Sequence, residues 1–208
     1  MIEAHWILFV VASVVLIATP GQDMILVMSR SITHGTRAGV AAAAGVSLGL
    51  VGHTVLATLG LGALLRASEW LFVAAKLVGA AYLVYLGAQL IFTKTATLAS
   101  DGTGGRSAWR HFADGAASNI SNPKIAIFYF AFLPQFVTPG ASHPTLTILV
   151  LGLLFAALTF VIKGPVAVFA GRLSTWFQSR PSALVALYRA SGVVLVGLAV
   201  RLALARRD

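Results

Sequence analysis

The sequence predicts an all-α membrane protein of about six transmembrane helices in a single domain covering residues 1–208, arranged as two inverted three-helix repeats whose first helices are broken. Three observations carry this. Hydrophobic residues make up 58% of the 208 and charged residues 10%, whereas soluble domains carry roughly 25% charged residues; most of the chain must therefore face lipid or other membrane helices. The length accommodates about six crossings of roughly 20 residues with short loops, and leaves no room for a separate soluble domain. Finally, a polar, proline-containing interruption of an apolar run occurs twice, at Thr19-Pro20 and at Asn122-Pro123, about half the chain apart.

In order, the first apolar run, His5 to Ala18, is too short to span alone. Continued through TPGQD to Ser31 it is long enough but broken. Ala38 to Leu65 contains no Asp, Glu, Lys or Arg and forms the second span. Trp70 to Phe92 is the third, with Lys76 near its start. Residues 94–110, KTATLASDGTGGRSAWR, switch to Gly, Ser, Thr and charge, a hydrophilic linker between repeat 1 (1–93) and repeat 2 (111–208). The second half opens with HFADGAASNISNPK and IAIFYFAFLPQFV, then a turn at TPGASHP. The fifth span runs from Pro144 into KGPVAVFAGR, and the sixth lies between Ala183 and Ala205. There Arg189 and Arg201 bracket a short apolar core, so the helix ends must snorkel.

A net charge of +9 raises nucleic acid as a partner, but the basic residues are scattered singly between apolar runs, not gathered on one polar face, which argues against it. Loop charges report topology instead. Arg30 and Arg37, then Lys94, Arg106 and Arg110, then Arg172 and Arg180 place loops one, three and five in the cytoplasm and the N-terminus outside; Arg206 and Arg207 point the other way for an even number of crossings. The opening MIEA lacks a positive n-region, so the first segment is expected to be retained. The absence of cysteine excludes disulfides, thiolate metal sites and dithiol redox chemistry. With no His, Asp and Glu at ligand spacing and no GxSxG, neither an enzyme nor a metal or other cofactor is expected.

Prolines 20 and 123 each lack an N–H and leave helix carbonyls unpaired nearby. Lipid cannot satisfy those groups, so each break must be buried in protein or line a wet cavity. The exposed half-helix ends carry partial charge suited to charged ligand groups. A single kink is commonly satisfied by neighbouring helices; two related breaks with polar neighbours favour a ligand site.

The stretch ATPGQDMILVMSRSITHGTRAGVAAAAGVSLG resembles the first-span signature of the LysE/RhtB family of amino-acid exporters. AAKLVGAAYLVYLGAQLI resembles that family's third hydrophobic segment, and ASNISNPKIAIFYFAFLPQFV is similar to its NPK segment. The likeness covers most of residues 1–140 and beyond that is one of hydropathy. Gln22 departs from it, standing where many members have a second proline. The resemblance implies a small secondary exporter of amino acids or similar metabolites in the bacterial inner membrane, driven by proton exchange. Its rivals are a passive channel or facilitator, a membrane-embedded enzyme and an assembly subunit.

An ionisable residue at membrane depth is a functional candidate by default. Asp23 follows the first break and Lys124 the second. An amino acid is a zwitterion, so Asp23 is assigned to its ammonium and Lys124 to its carboxylate. Thr19, Gln22, Asn119 and Asn122 supply neutral hydrogen bonds, with Pro20, Gly21 and Pro123 shaping the breaks. The plainer alternative is that Asp23 and Lys124 pair only with each other and hold the halves together. Asp23 is also the proton-coupling candidate, because Glu3, Glu69, Asp101, Asp114 and Asp208 lie nearer ends or loops.

Other positions carry open readings. Lys163, beside Gly164-Pro165, lines the pathway or snorkels, and Lys76 snorkels. His53 relays protons or, the favoured reading, bonds a neighbouring helix as a neutral ring. Tyr82, Tyr85 and Gln89 share one helical face, which forms a polar path or, slightly favoured, interhelical hydrogen bonds. Gly45, Gly49 and Gly52 form a small surface for close packing, either within the chain or at a homodimer seam. Amino-acid substrate, membrane lipid and a second copy of the chain are the expected partners.

Overall fold

The computed structural model describes residues 5–67, 69–92, 107–137 and 142–204. Among them every regular element is helical: α1 (Trp6–Ala18), α2 (Gln22–His34), α3 (Thr36–Ala67), α4 (Glu69–Ile91), α5 (Ala108–Ile120), α6 (Pro123–Phe132) with a 3-10 turn at Leu133–Phe136, α7 (Pro144–Val168), α8 (Ala170–Ser179) and α9 (Pro181–Leu204). Most of the predicted linker at 94–110 lies outside the described residues, as do Arg206, Arg207 and the side chain of Lys76.

Among the described residues, three helical stretches, Thr36–Gly60, Pro144–Val168 and Pro181–Val200, are long and apolar enough to cross a membrane. The α1–α2 pair, bent by 52°, makes a fourth if it is counted as one broken span. Leu77–Ile91 and Lys124–Phe136 are shorter apolar helices at the positions of the predicted third and fourth spans.

The first break has a local cause. The N–H of Thr19 closes the last turn of α1 on Leu16, Pro20 cannot donate at all, and Gly21 turns extended so that α2 restarts at Gln22. The second break is a capped restart. Asn122 accepts the N–H of Lys124 on its side-chain oxygen at 3.0 Å, and Pro123 occupies the first position of α6, where its missing N–H leaves nothing unsatisfied. Between α2 and α3 the chain turns at Gly35, whose φ of 88° lies in the left-handed region. Pro165 sits inside α7 and cannot donate to the carbonyl of Val161.

An aromatic core locks α1, α6 and α7 together. Phe9 meets Phe136 edge-on at 5.1 Å, Phe132 meets Phe155 at 5.7 Å, and Tyr129 meets Phe155 at 5.6 Å; such edge-to-face geometry suits the ring quadrupoles. Helix α3 lies between α5 and α7, while α4 packs on α9. The α3–α5 contact is backbone-close: a Cβ on Gly45 would collide with the Phe112 carbonyl, one on Gly115 with the Ala42 carbonyl, and one on Gly49 would sit 2.7 Å from the Asn119 Cβ. The Gly45–Gly49–Gly52 surface is thus used within the chain, and the homodimer-seam reading of it gives way.

Candidate functional site

The two breaks meet each other. Gln22, in the first turn of α2, accepts a hydrogen bond from the Asn122 amide at 3.2 Å. One residue along, the Asn119 amide donates to Asp23 Oδ2 at 2.9 Å. Asn119 is fully buried and is itself held from behind: His53 Nε2 lies 3.0 Å from its backbone oxygen. A carbonyl only accepts, so Nε2 donates, and the ring bridges α3 to α5 as the interhelical reading of this histidine expects.

Asp23 has a second partner. Lys163 Nζ of α7 reaches Oδ2 at 3.3 Å, with the lysine side chain 9% exposed and the aspartate 14%. The other oxygen, Oδ1, is enclosed and has no hydrogen-bond partner among the described residues. The reading in which Asp23 and Lys124 pair only with each other is therefore not what the structure shows. Lys124 is exposed; its Nζ points to the Gln89 oxygen at 3.4 Å, the Gln89 amide donates to the Tyr85 hydroxyl at 2.6 Å, and Tyr82 donates to the Lys124 carbonyl at 3.2 Å. Tyr82 and Gln89 thus make interhelical bonds to the start of α6, and Tyr85 is bonded to Gln89 within α4.

The first break is also tied to α9. The Thr19 hydroxyl bonds the Val15 carbonyl at 2.8 Å and pairs with the Ser191 hydroxyl, which reaches the same carbonyl at 3.3 Å. Side chains thus cover a carbonyl that the interrupted helix leaves short of partners.

These residues enclose a cavity of about 330 Å³. Its lining combines the polar Thr19, Gln22, Asp23, Asn122, Lys124 and Lys163 with the apolar Leu16, Leu50, Leu86, Phe128, Phe155 and Leu195. Concave, mostly apolar pockets with a few converging polar groups are the usual form of a small-molecule site. Of the residues singled out from the sequence, Thr19, Gly21, Gln22, Asp23, Asn122 and Lys124 line the cavity. Asn119 stands behind Asp23, Pro20 is buried in the turn, and Pro123 contributes the backbone of the restart. Lys163 lines the cavity and does not snorkel. Thr159, Tyr129 and Gln89 line it too. The i, i+4 spacing of Thr159 and Lys163 on α7 was the available signal for that face; nothing in the sequence pointed to Ser191.

The family described as LysE type translocator matches residues 14–206. The chain is 35% identical to a homoserine/homoserine lactone efflux protein of Salmonella typhimurium, over 97% of each chain. It is 31% identical to an uncharacterized membrane protein of Pseudomonas aeruginosa, over 95% of this chain and 94% of the other. It is 28% identical to a leucine efflux protein of Klebsiella pneumoniae, over 96% of this chain and 94% of the relative. No solved structure matches. A family match over nearly the full length, on a membrane-type all-helical fold, closes the question of kinship: the chain belongs to the LysE type translocator family.

Proposed function

We propose that the protein is a secondary transporter of the bacterial inner membrane, exporting an amino acid or closely related metabolite in exchange for protons from the cavity between the two breaks. The observation that carries this is the meeting of both interruptions across one cavity that holds a carboxylate and two ammonium groups in an otherwise apolar chain. Charges inside a membrane domain are costly and commonly mark a substrate or ion pathway.

In this reading two inverted halves form the molecule. Helices α1–α2, α3 and α4 correspond to α5–α6, α7 and α9, with the short α8 an addition to the second half. In support, α3 packs on its counterpart α7 and α4 on α9, as helices beside a shared two-fold axis do, and the breaks contact each other. Rocking of one half against the other then exposes the cavity to each side in turn.

The substrate ammonium is held by Asp23 and its carboxylate by Lys124, with Gln22, Asn122 and Thr19 contributing neutral hydrogen bonds. Asp23 is the sole acid among the described residues lining the cavity. Once it holds the α-ammonium, no carboxylate among the described lining residues is left for a cationic side chain, and most of the remaining wall is apolar. A neutral side chain fits best, in keeping with relatives named for homoserine and leucine efflux.

The test is uptake of labelled amino acids into inside-out vesicles carrying the protein. An acid interior should drive accumulation of homoserine or leucine. Flux that only equilibrates, whatever the pH difference, identifies a passive facilitator, and no flux of any amino acid above that of empty vesicles removes the proposal.

A further inference from the structure

We propose that Lys163 carries the exchanged proton: the substrate's ammonium and the Lys163 ammonium compete for the single carboxylate of Asp23, so the amino acid binds as Lys163 gives up its proton and leaves as Lys163 takes it back. This rests on the exporter reading above and assigns the coupling to a particular atom, Lys163 Nζ.

The geometry is that of a competition. Lys163 Nζ and the Asn119 amide share Oδ2 of Asp23 at 3.3 and 2.9 Å, and the pair is largely enclosed. At this depth of burial Lys163 needs a carboxylate beside it, and breaking such a pair leaves an uncompensated buried charge, which is strongly unfavourable. A buried ammonium without a counter-ion neutralises instead. When the substrate's ammonium takes the carboxylate, Lys163 meets that condition.

Among the described residues, the surroundings offer Lys163 no other counter-ion. From α2 comes Asp23 itself, from α5 the neutral Asn119, from α6 Tyr129 and the cation Lys124, and from α7 Thr159. His53 of α3 is turned to the Asn119 carbonyl. Placing the proton on Asp23 would leave Lys163 charged beside a neutral acid. Removing the proton from Lys163 while a second ammonium replaces it strands no charge, which is why the lysine and not the aspartate is the carrier.

The proton balance is simple. With the cavity open to the cytoplasm, an N–H bond of Lys163 breaks, the electron pair stays on nitrogen and the proton passes to cavity water. With the cavity open to the other side, the amino acid leaves and Lys163 takes a proton from water there and returns to Asp23. An amino acid moves out, a proton moves in, and because the amino acid is net neutral, positive charge moves inward. A membrane potential negative inside therefore drives export alongside the pH difference.

The experiment uses purified protein in liposomes with leucine and homoserine as probes. Wild type should accumulate substrate against its gradient when driven by a pH difference, and should release protons in weak buffer on substrate binding. Lys163→Met should still exchange labelled for unlabelled substrate, yet lose pH-driven accumulation down to the equilibrium level and release no proton on binding. Lys163→Arg keeps the pair but holds its proton, and should lose both exchange and accumulation. Should wild type show no transport, the exporter reading itself fails. Should wild type be coupled and Lys163→Met stay coupled, or, if that variant does not fold, Lys163→Arg transport as wild type does, the carrier assignment alone is overturned.

Discussion

Gln22 and Asn122 stand 100 positions apart in sequence and hydrogen-bond to each other at 3.2 Å. Each is the polar residue beside a proline-marked break, so this one contact brings the two interruptions of the chain to a common wall. Asn119 on Asp23 repeats the connection one step deeper. The Val15 carbonyl freed by the first break is met by the Thr19 hydroxyl and by Ser191 of α9.

Asp23→Asn removes the charge from that wall and leaves Lys163 buried without a counter-ion. Loss of one partner from a buried pair costs about 3 kcal/mol, so the variant should unfold more readily in detergent. Transport should fall by about 100-fold or more, the equivalent of that energy. Export at the wild-type rate by folded Asp23→Asn would remove this residue from the mechanism.

Lysine and arginine should be poor competitors. In uptake assays with labelled leucine, excess unlabelled leucine or homoserine should suppress the signal, whereas lysine should need at least about tenfold more, since a cationic side chain here meets Lys124 and apolar surface at a cost above about 1.4 kcal/mol. Equal competition by lysine would contradict the assignment of Asp23 to the α-ammonium.

His53→Gln keeps an N–H donor for the Asn119 carbonyl, whereas His53→Leu loses it and leaves a buried acceptor short, a cost of about 1–2 kcal/mol. The glutamine variant should transport better than the leucine variant, and both should move as many protons per amino acid as wild type. A changed proton ratio in His53→Gln would restore the relay reading of this histidine.

Gly45→Ala should destabilise by about 1–3 kcal/mol, the usual penalty of overpacking, because the new methyl meets the Phe112 backbone, which cannot turn aside as a side chain can. Gly197→Ala, whose methyl would meet nothing within 4 Å, should be neutral or gain up to about 1 kcal/mol from helix propensity. Thermal unfolding in detergent compares the two directly.

Much of this was legible in the sequence because hydropathy and proline report locally. The uncharged run at 38–65 announced α3, and the two Pro-containing interruptions announced both breaks and the residues beside them. Partner choice was not legible, because it depends on how helices come together. Nothing near Asp23 in sequence distinguishes Lys124 from Lys163, 140 positions away, as its counter-ion. Likewise the Gly45–Gly49–Gly52 surface has the same pattern for a neighbour in the chain as for a second copy; only the Phe112 and Asn119 contacts decide. Helix α8 was missed because AGRLSTWFQS reads as the polar tail of a span, and its amphipathic turn follows directly on α7.

The chain has no cysteine, which makes the most direct measurement simple. Leu90→Cys places a single thiol on the cavity wall, where a small, membrane-impermeant cationic thiol reagent reaches it only through water. The account predicts that the thiol is modified in membranes and that homoserine or leucine slows the modification, while Asp23→Asn in the same background abolishes the protection. A thiol that never reacts, or one whose reaction no transported amino acid slows, would contradict a hydrated substrate site between the two breaks.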